Sequence, residues 1–72
     1  MIEFIKSNPK LLFDCRLLIA QGEPDYLAVL NSIEAHLAQY VVTDNVPWDL
    51  VVEALVKDYN KVLPEHLHIV LK

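Results

Sequence analysis

Three kinds of side chain in this 72-residue chain have the chemistry for a site: the pair His66-x-His68, the single cysteine Cys15, and ten acidic residues. Histidines two apart share one side of a β-strand and could offer two imidazoles to one metal ion. On a helix the same spacing sends them to different sides. His36 and Cys15 would have to reach them through the fold, because the sequence holds no cysteine pair and no zinc-type ligand spacing. The residues therefore point to no metal and no cofactor, with His66 and His68 as polar neighbours of a terminal apolar segment.

Catalysis finds as little support. Cys15 falls on a helical face with Leu11, Leu18 and Ile19, where a thiol behaves as a small inert hydrophobe. Arg16 is its neighbour in sequence but lies ~100° away around a helix. Ser7, Ser32 and Thr43 lack the glycine-rich context of an oxyanion pocket, and one glycine cannot build a phosphate-cradling loop. Asp14, Glu34 and Glu53 fall on polar helical faces, where solvated charge is the ordinary state. A pocket of ~300 Å³ or more is also hard to spare in so short a chain. The expectation is a protein that is not an enzyme.

Charge narrows the partners. Residues 1–16 carry +1, residues 57–72 carry +1, and residues 17–56 carry −6 with no lysine or arginine, giving the net −4. A stretch of that sign repels nucleic-acid phosphate and anionic lipid. The segment AQGEPDYL has the outline of a helix-turn-helix joint, but the helix after it carries Asp25 and Glu34 and no basic residue, the wrong sign for a major groove. The greasiest stretch, LLFDCRLLIA, is interrupted by Asp14 and Arg16 and is far short of the ~20 residues of a membrane span. The start, MIEFIKSNPK, has no basic region leading into an apolar run. With one cysteine, this suits a reducing, cytoplasmic setting. The chain is read as a complete single domain opening at Met1.

The elements that position these residues are announced by the prolines. Pro9, Pro24, Pro47 and Pro64 each stand three before a leucine: Leu12, Leu27, Leu50 and Leu67. Proline suits a first helical turn because its missing N–H would have no partner there, and a leucine three on would open the buried stripe. Asn8 is a suitable cap for the first helix, and Asn45 a better one than Val46 for the third. Asp25, Asp49 and Glu65 then fall in first turns, where the helix dipole favours acid, and Gly22 falls where the first long helix should end.

The sequence thus predicts an all-α fold of three main helices, about 9–21, 24–41 and 46–63, with short terminal segments. In the third, Trp48, Val51, Val52, Leu55, Val56, Tyr59, Val62 and Leu63 share one side and Asp49, Glu53, Lys57, Asn60 and Lys61 the other. Glu53 and Lys57 are spaced for an i,i+4 ion pair. In the second, Tyr26, Leu30, Ile33, Leu37 and Tyr40 run down the middle, with His36 opposite and Ala28, Ala35 and Ala38 beside the stripe, where another helix could approach. MIEFIKS is a short helix burying Ile2 and Ile5, or a strand. EHLHIVLK leans to a short helix burying Leu67, Val70 and Leu71, with an extended segment or a ribbon with the N-terminus as alternatives.

The first long helix stands apart. Leu11, Leu12, Cys15, Leu18 and Ile19 form one apolar face, while Phe13, Leu17 and Ala20 form a second. Such a helix is either central and buried all round or partnered from outside. The chain is 54% apolar, and a chain this short hides only ~60% of its unfolded surface. A surplus of apolar surface is therefore expected, and large patches mark interfaces. The functional expectation is a non-catalytic protein-binding module, pairing with another protein or with itself as a homodimer through Phe13, Leu17 and Ala20, bordered by Glu34, Asp44 and Asp49. The alternative is a small acidic inhibitor, of immunity, antitoxin or phage-encoded type, that masks a basic nucleic-acid-binding site using those acids.

Overall fold

The computed structural model describes residues 1–22 and 24–72. Four α-helices follow one another: α1 (Ile2–Lys6), α2 (Pro9–Gly22), α3 (Tyr26–Leu37) and α4 (Trp48–Val62), then one 3-10 turn over Glu65–Leu67. Helices α2, α3 and α4 pack pairwise, and α1 lies against α2 and α4. The chain is an all-α bundle of three main helices, as periodicity predicts, with no strand among the described residues. The N-terminal segment takes the helical option and buries Ile5 completely, with Ile2 packed beside the core.

Each main helix gives the core one stripe at 3–4-residue spacing: Leu11, Cys15 and Ile19 from α2; Val29, Ile33 and Leu37 from α3; Trp48, Val51, Val52 and Leu55 from α4. Ile5 and Ile69 close its ends. The stripe of α3 differs from the one read from sequence. Val29, outside the middle run read from sequence, is fully buried, while Tyr26 and Leu30 are only partly covered and Leu27 is exposed. Ala28, Ala35 and Ala38 face solvent and receive no other helix. Val62 of α4 is also exposed.

Every proline marks a helix start, each in its own way. Pro9 is the first residue of α2, and the Asn8 side chain accepts from the Leu11 N–H as its cap. Pro24 stands one residue outside α3, where Asp25 is the cap and accepts from Ala28 N–H. Pro47 and Pro64 occupy the capping positions of α4 and of the 3-10 turn. The leucines do not follow the expected rule. Leu27, Leu50 and Leu67 are exposed, and only Leu12 packs against the core. The inner faces are made instead by Val29, Ile33 and Leu37 in α3 and by Trp48, Val51, Val52 and Leu55 in α4, and the third residue after proline falls outside them.

Helix α3 stops at Leu37, four residues before the expected end. Beyond it Gln39 N–H bonds to His36 C=O and Tyr40 N–H to Leu37 C=O, the tightened i→i+3 pattern that closes a helix. Asn45 does not cap α4. It sits in the connection at φ 62°, in the left-handed region that asparagine tolerates, and turns the chain toward Pro47.

Gly22 ends α2 as expected, for a reason of space. It does not take positive φ, and a Cβ there would lie 2.6 Å from Val29 Cγ2. The absent side chain lets α2 and α3 meet at their joint. The C-terminal segment is one 3-10 turn and then extended backbone from His68, the extended alternative and not the short helix favoured from sequence. Ile69 and Leu71 turn inward while Leu67 and Val70 stay exposed. Asn60 holds the segment: its side chain donates to Ile69 C=O and accepts from Ile69 N–H. Lys72 N–H bonds to Pro24 C=O, and Tyr26 N–H to Lys72 C=O, tying the segment to the α2–α3 joint.

Candidate functional site

The residues singled out on α2 face solvent in the folded chain. Phe13 is 52% exposed and Leu17 45%, with Ala20 exposed beside them. Three helices in mutual contact cover one inner stripe each and cannot cover the back of any of them. The option of a central helix buried all round therefore does not apply to α2.

This face points outward because Leu11, Cys15 and Ile19 on the opposite side of α2 are buried in the core, and charged groups flank it on both sides. On one side, Arg16 Nη2 donates to Asp58 Oδ2 of α4 at 3.0 Å, and Lys6 Nζ of α1 lies 3.5 Å from Asp58 Oδ1. The Arg16 guanidinium also sits 5.5 Å from the Tyr59 ring centroid. Burial raises the Asp58 pKa as the largest single influence. The Arg16 hydrogen bond and the charges of Lys6 and Arg16 together outweigh it, so the carboxyl is held below its ordinary value. On the other side, His36 Nε2 of α3 lies 3.2 Å from Asp14 Oδ2, close enough for an ion pair when the ring is protonated, though not aligned as a hydrogen bond. His36 and Asp14 are thus half-buried partners, not the solvated polar residues expected from sequence. The stripe lies between the ion pairs of Asp58 with Arg16 and Lys6 on one flank and the Asp14–His36 contact on the other.

Beside Leu17 the surface dips into an open groove of about 420 Å³, lined by Lys10, Asp14, Leu17, Leu18, Gln21, His36 and Tyr40. Tyr40 packs edge-on against the His36 ring, with centroids 5.7 Å apart. The groove thus joins Leu17 to half-exposed Tyr40 across the polar side chains of Asp14 and His36. Sequence reasoning missed His36 and Tyr40 here because it placed His36 opposite the apolar face and Tyr40 inside a longer α3. The spacing Asp14–Leu17–Leu18 on one side of α2 was the available signal for a mixed edge.

The acids assigned to the border are dispersed. Glu34 is half-buried on α3, and Asp44 is exposed in the α3–α4 connection. Asp49, in the first turn of α4, accepts a hydrogen bond from the Tyr26 hydroxyl and lines a cleft of about 250 Å³ with Tyr26, Val52, Glu53, Val56 and Leu71. Neither Glu34 nor Asp44 lines that cleft. The Tyr26 phenol is pushed above its ordinary pKa first by the Asp49 hydrogen bond, then by burial and by the charges of Asp49 and Glu53. Glu53 and Lys57 do not come within ion-pair distance.

The remaining reactive groups are sequestered or dispersed. Cys15 is fully buried, and its thiol is pushed up to about 11 by burial and then by Asp14. His68 Nε2 lies 3.1 Å from Leu63 C=O, and His66 is on the 3-10 turn. Among the described residues no three metal-ligating side chains cluster, and no helix is long and apolar enough to cross a membrane.

No protein-family profile, no curated protein and no solved structure matches the chain. Fold and surface alone define the class: a small all-α bundle whose first long helix, α2, keeps an uncovered apolar face.

Proposed function

We propose that this protein is a non-catalytic binding module that pairs with a second copy of itself through the outward face of α2. The single observation behind the reading is the uncovered stripe Phe13–Leu17–Ala20, flanked on one side by the Arg16–Asp58 ion pair. A symmetric partner suits it for two reasons. The stripe is bulky at Phe13 and small at Ala20, so a two-fold axis near Leu17 sets each Phe13 against the other copy's Ala20, the self-complementarity that an isologous contact needs. The net charge of −4 would repel a like copy, but Asp58 beside the stripe is already paired with Arg16 and Lys6 within the chain.

The pair is concentration-dependent, not permanent. A standard interface covers ~800 Å² per partner, about one-sixth of this chain's 4721 Å² of accessible surface. The stripe alone is smaller, so the contact extends over the Leu17–Tyr40 groove to approach that size. Amide spectra of the 15N-labelled protein, recorded over a dilution series, test the reading. The signals of Phe13, Leu17, Ala20 and Tyr40 are expected to move with concentration, and Leu17→Asp is expected to freeze them at the dilute positions. Movement confined to other residues, or equal movement in Leu17→Asp, would refute it.

A further inference from the structure

A second surface is chemically unlike the first. The cleft beside α4 has an apolar floor, made by fully buried Val52 and half-buried Val56 and Leu71. Its rim carries two carboxylates, Asp49 and Glu53, one turn apart on α4, and the Tyr26 hydroxyl that donates to Asp49. Among the described residues no lysine, arginine or histidine comes within ion-pair distance of either carboxylate. Like charges at i and i+4 oppose each other on a helix, and a cation set between them relieves that opposition.

We propose that this cleft receives an arginine side chain from a basic segment of a partner protein, independently of the α2 surface. The floor matches the arginine's apolar stem and the rim its head. At about 250 Å³ the cleft falls just below the ~300–1,000 Å³ of small-molecule sites, which suits one long side chain better than a cofactor. Arginine suits it better than lysine. Its planar fork presents five donors that can reach two carboxylates at once, while an ammonium is a compact point charge that prefers water. Lys57 and Lys72 stand next to the lining residues Val56 and Leu71 in the sequence, yet neither lies within ion-pair distance of Asp49 or Glu53.

The test is a titration of the labelled protein at low salt with the tripeptide acetyl-Ala-Arg-Ala-amide. The control peptide has citrulline in place of arginine, which keeps the shape and removes the charge. Saturable amide shifts are expected at Tyr26, Glu53, Val56 and Leu71, with affinity roughly five-fold weaker for the citrulline peptide. Glu53→Gln, a substitution at an exposed position, is expected to weaken arginine binding by a similar factor, and Asp49→Asn supplies the same reading from the other carboxylate. Equal binding of the two peptides, insensitivity to both variants, shifts centred on Glu34 or Asp44, or no saturable shift at all would each overturn the proposal.

Discussion

Gly22→Ala isolates the contact that joins α2 to α3. The added Cβ would sit 2.6 Å from Val29 Cγ2, whereas carbon atoms rest ~3.5–4.0 Å apart, so the two must separate by about 1 Å. Val29 cannot swing aside: it is fully buried, and a valine in a helix holds essentially one χ1 rotamer. Overpacking of this kind costs ~1–3 kcal/mol. Alanine recovers at most ~1 kcal/mol over glycine in a helix interior, and less at a last residue such as Gly22. The net expectation is a destabilisation of about 1–2 kcal/mol, or a melting temperature lower by roughly 5–15 °C in a domain of this size. Urea and thermal unfolding followed by helical circular dichroism measure it. The double variant Gly22→Ala/Val29→Ala supplies the control, because the new methyl then enters space that valine vacated. Its stability should exceed the sum of the two single effects by about 1 kcal/mol or more. A Gly22→Ala protein as stable as the parent, or strict additivity in the double variant, would refute the steric argument.

Further expectations follow from the other contacts. Asp58→Asn removes the carboxylate shared by Arg16 and Lys6 and should cost about 1 kcal/mol at neutral pH. Because the folded pKa of Asp58 lies below its ordinary 3.8, that advantage is complete above pH ~5 and fades as pH falls through the folded value, so parent and variant should converge in acid unfolding curves. Asn60→Ala leaves the Ile69 N–H and C=O without their partner and should cost ~1–3 kcal/mol, with faster amide exchange at Ile69 than at Ile33. Cys15 should resist a thiol reagent at pH 8 in the folded protein and react fully in denaturant, because its thiol is buried and raised to about 11. Rapid labelling of the native protein would contradict that placement.

Local signals made most of the helices legible. The one-sided pattern from Trp48 to Leu63 reads directly as α4, and Pro9 with Asn8 ahead of it reads as the start of α2. The end of α3 was hidden because Tyr40 and Val41 continue the apolar period past the point where the backbone has tightened. The C-terminal segment was hidden for a different reason: Asn60 and the α2–α3 joint hold it, and partners nine or more residues away leave no periodic trace. The two-faced composition of α2 was visible as Phe13, Leu17 and Ala20. The contacts that flank that face, Arg16–Asp58 and Asp14–His36, depend on which helices become neighbours, and helical period does not encode that. The Tyr26–Asp49–Glu53 cleft was missed on the same ground, since its rim and floor come from three separate segments.

Sedimentation equilibrium of the unmodified protein, from about 10 μM to 1 mM and at low and high salt, tests the central claim most directly. Self-pairing through an apolar helix face predicts an average mass that climbs from 8.3 kDa toward twice that value with concentration, with little dependence on salt. A mass fixed at 8.3 kDa across the whole range, or an association that salt abolishes, would contradict it.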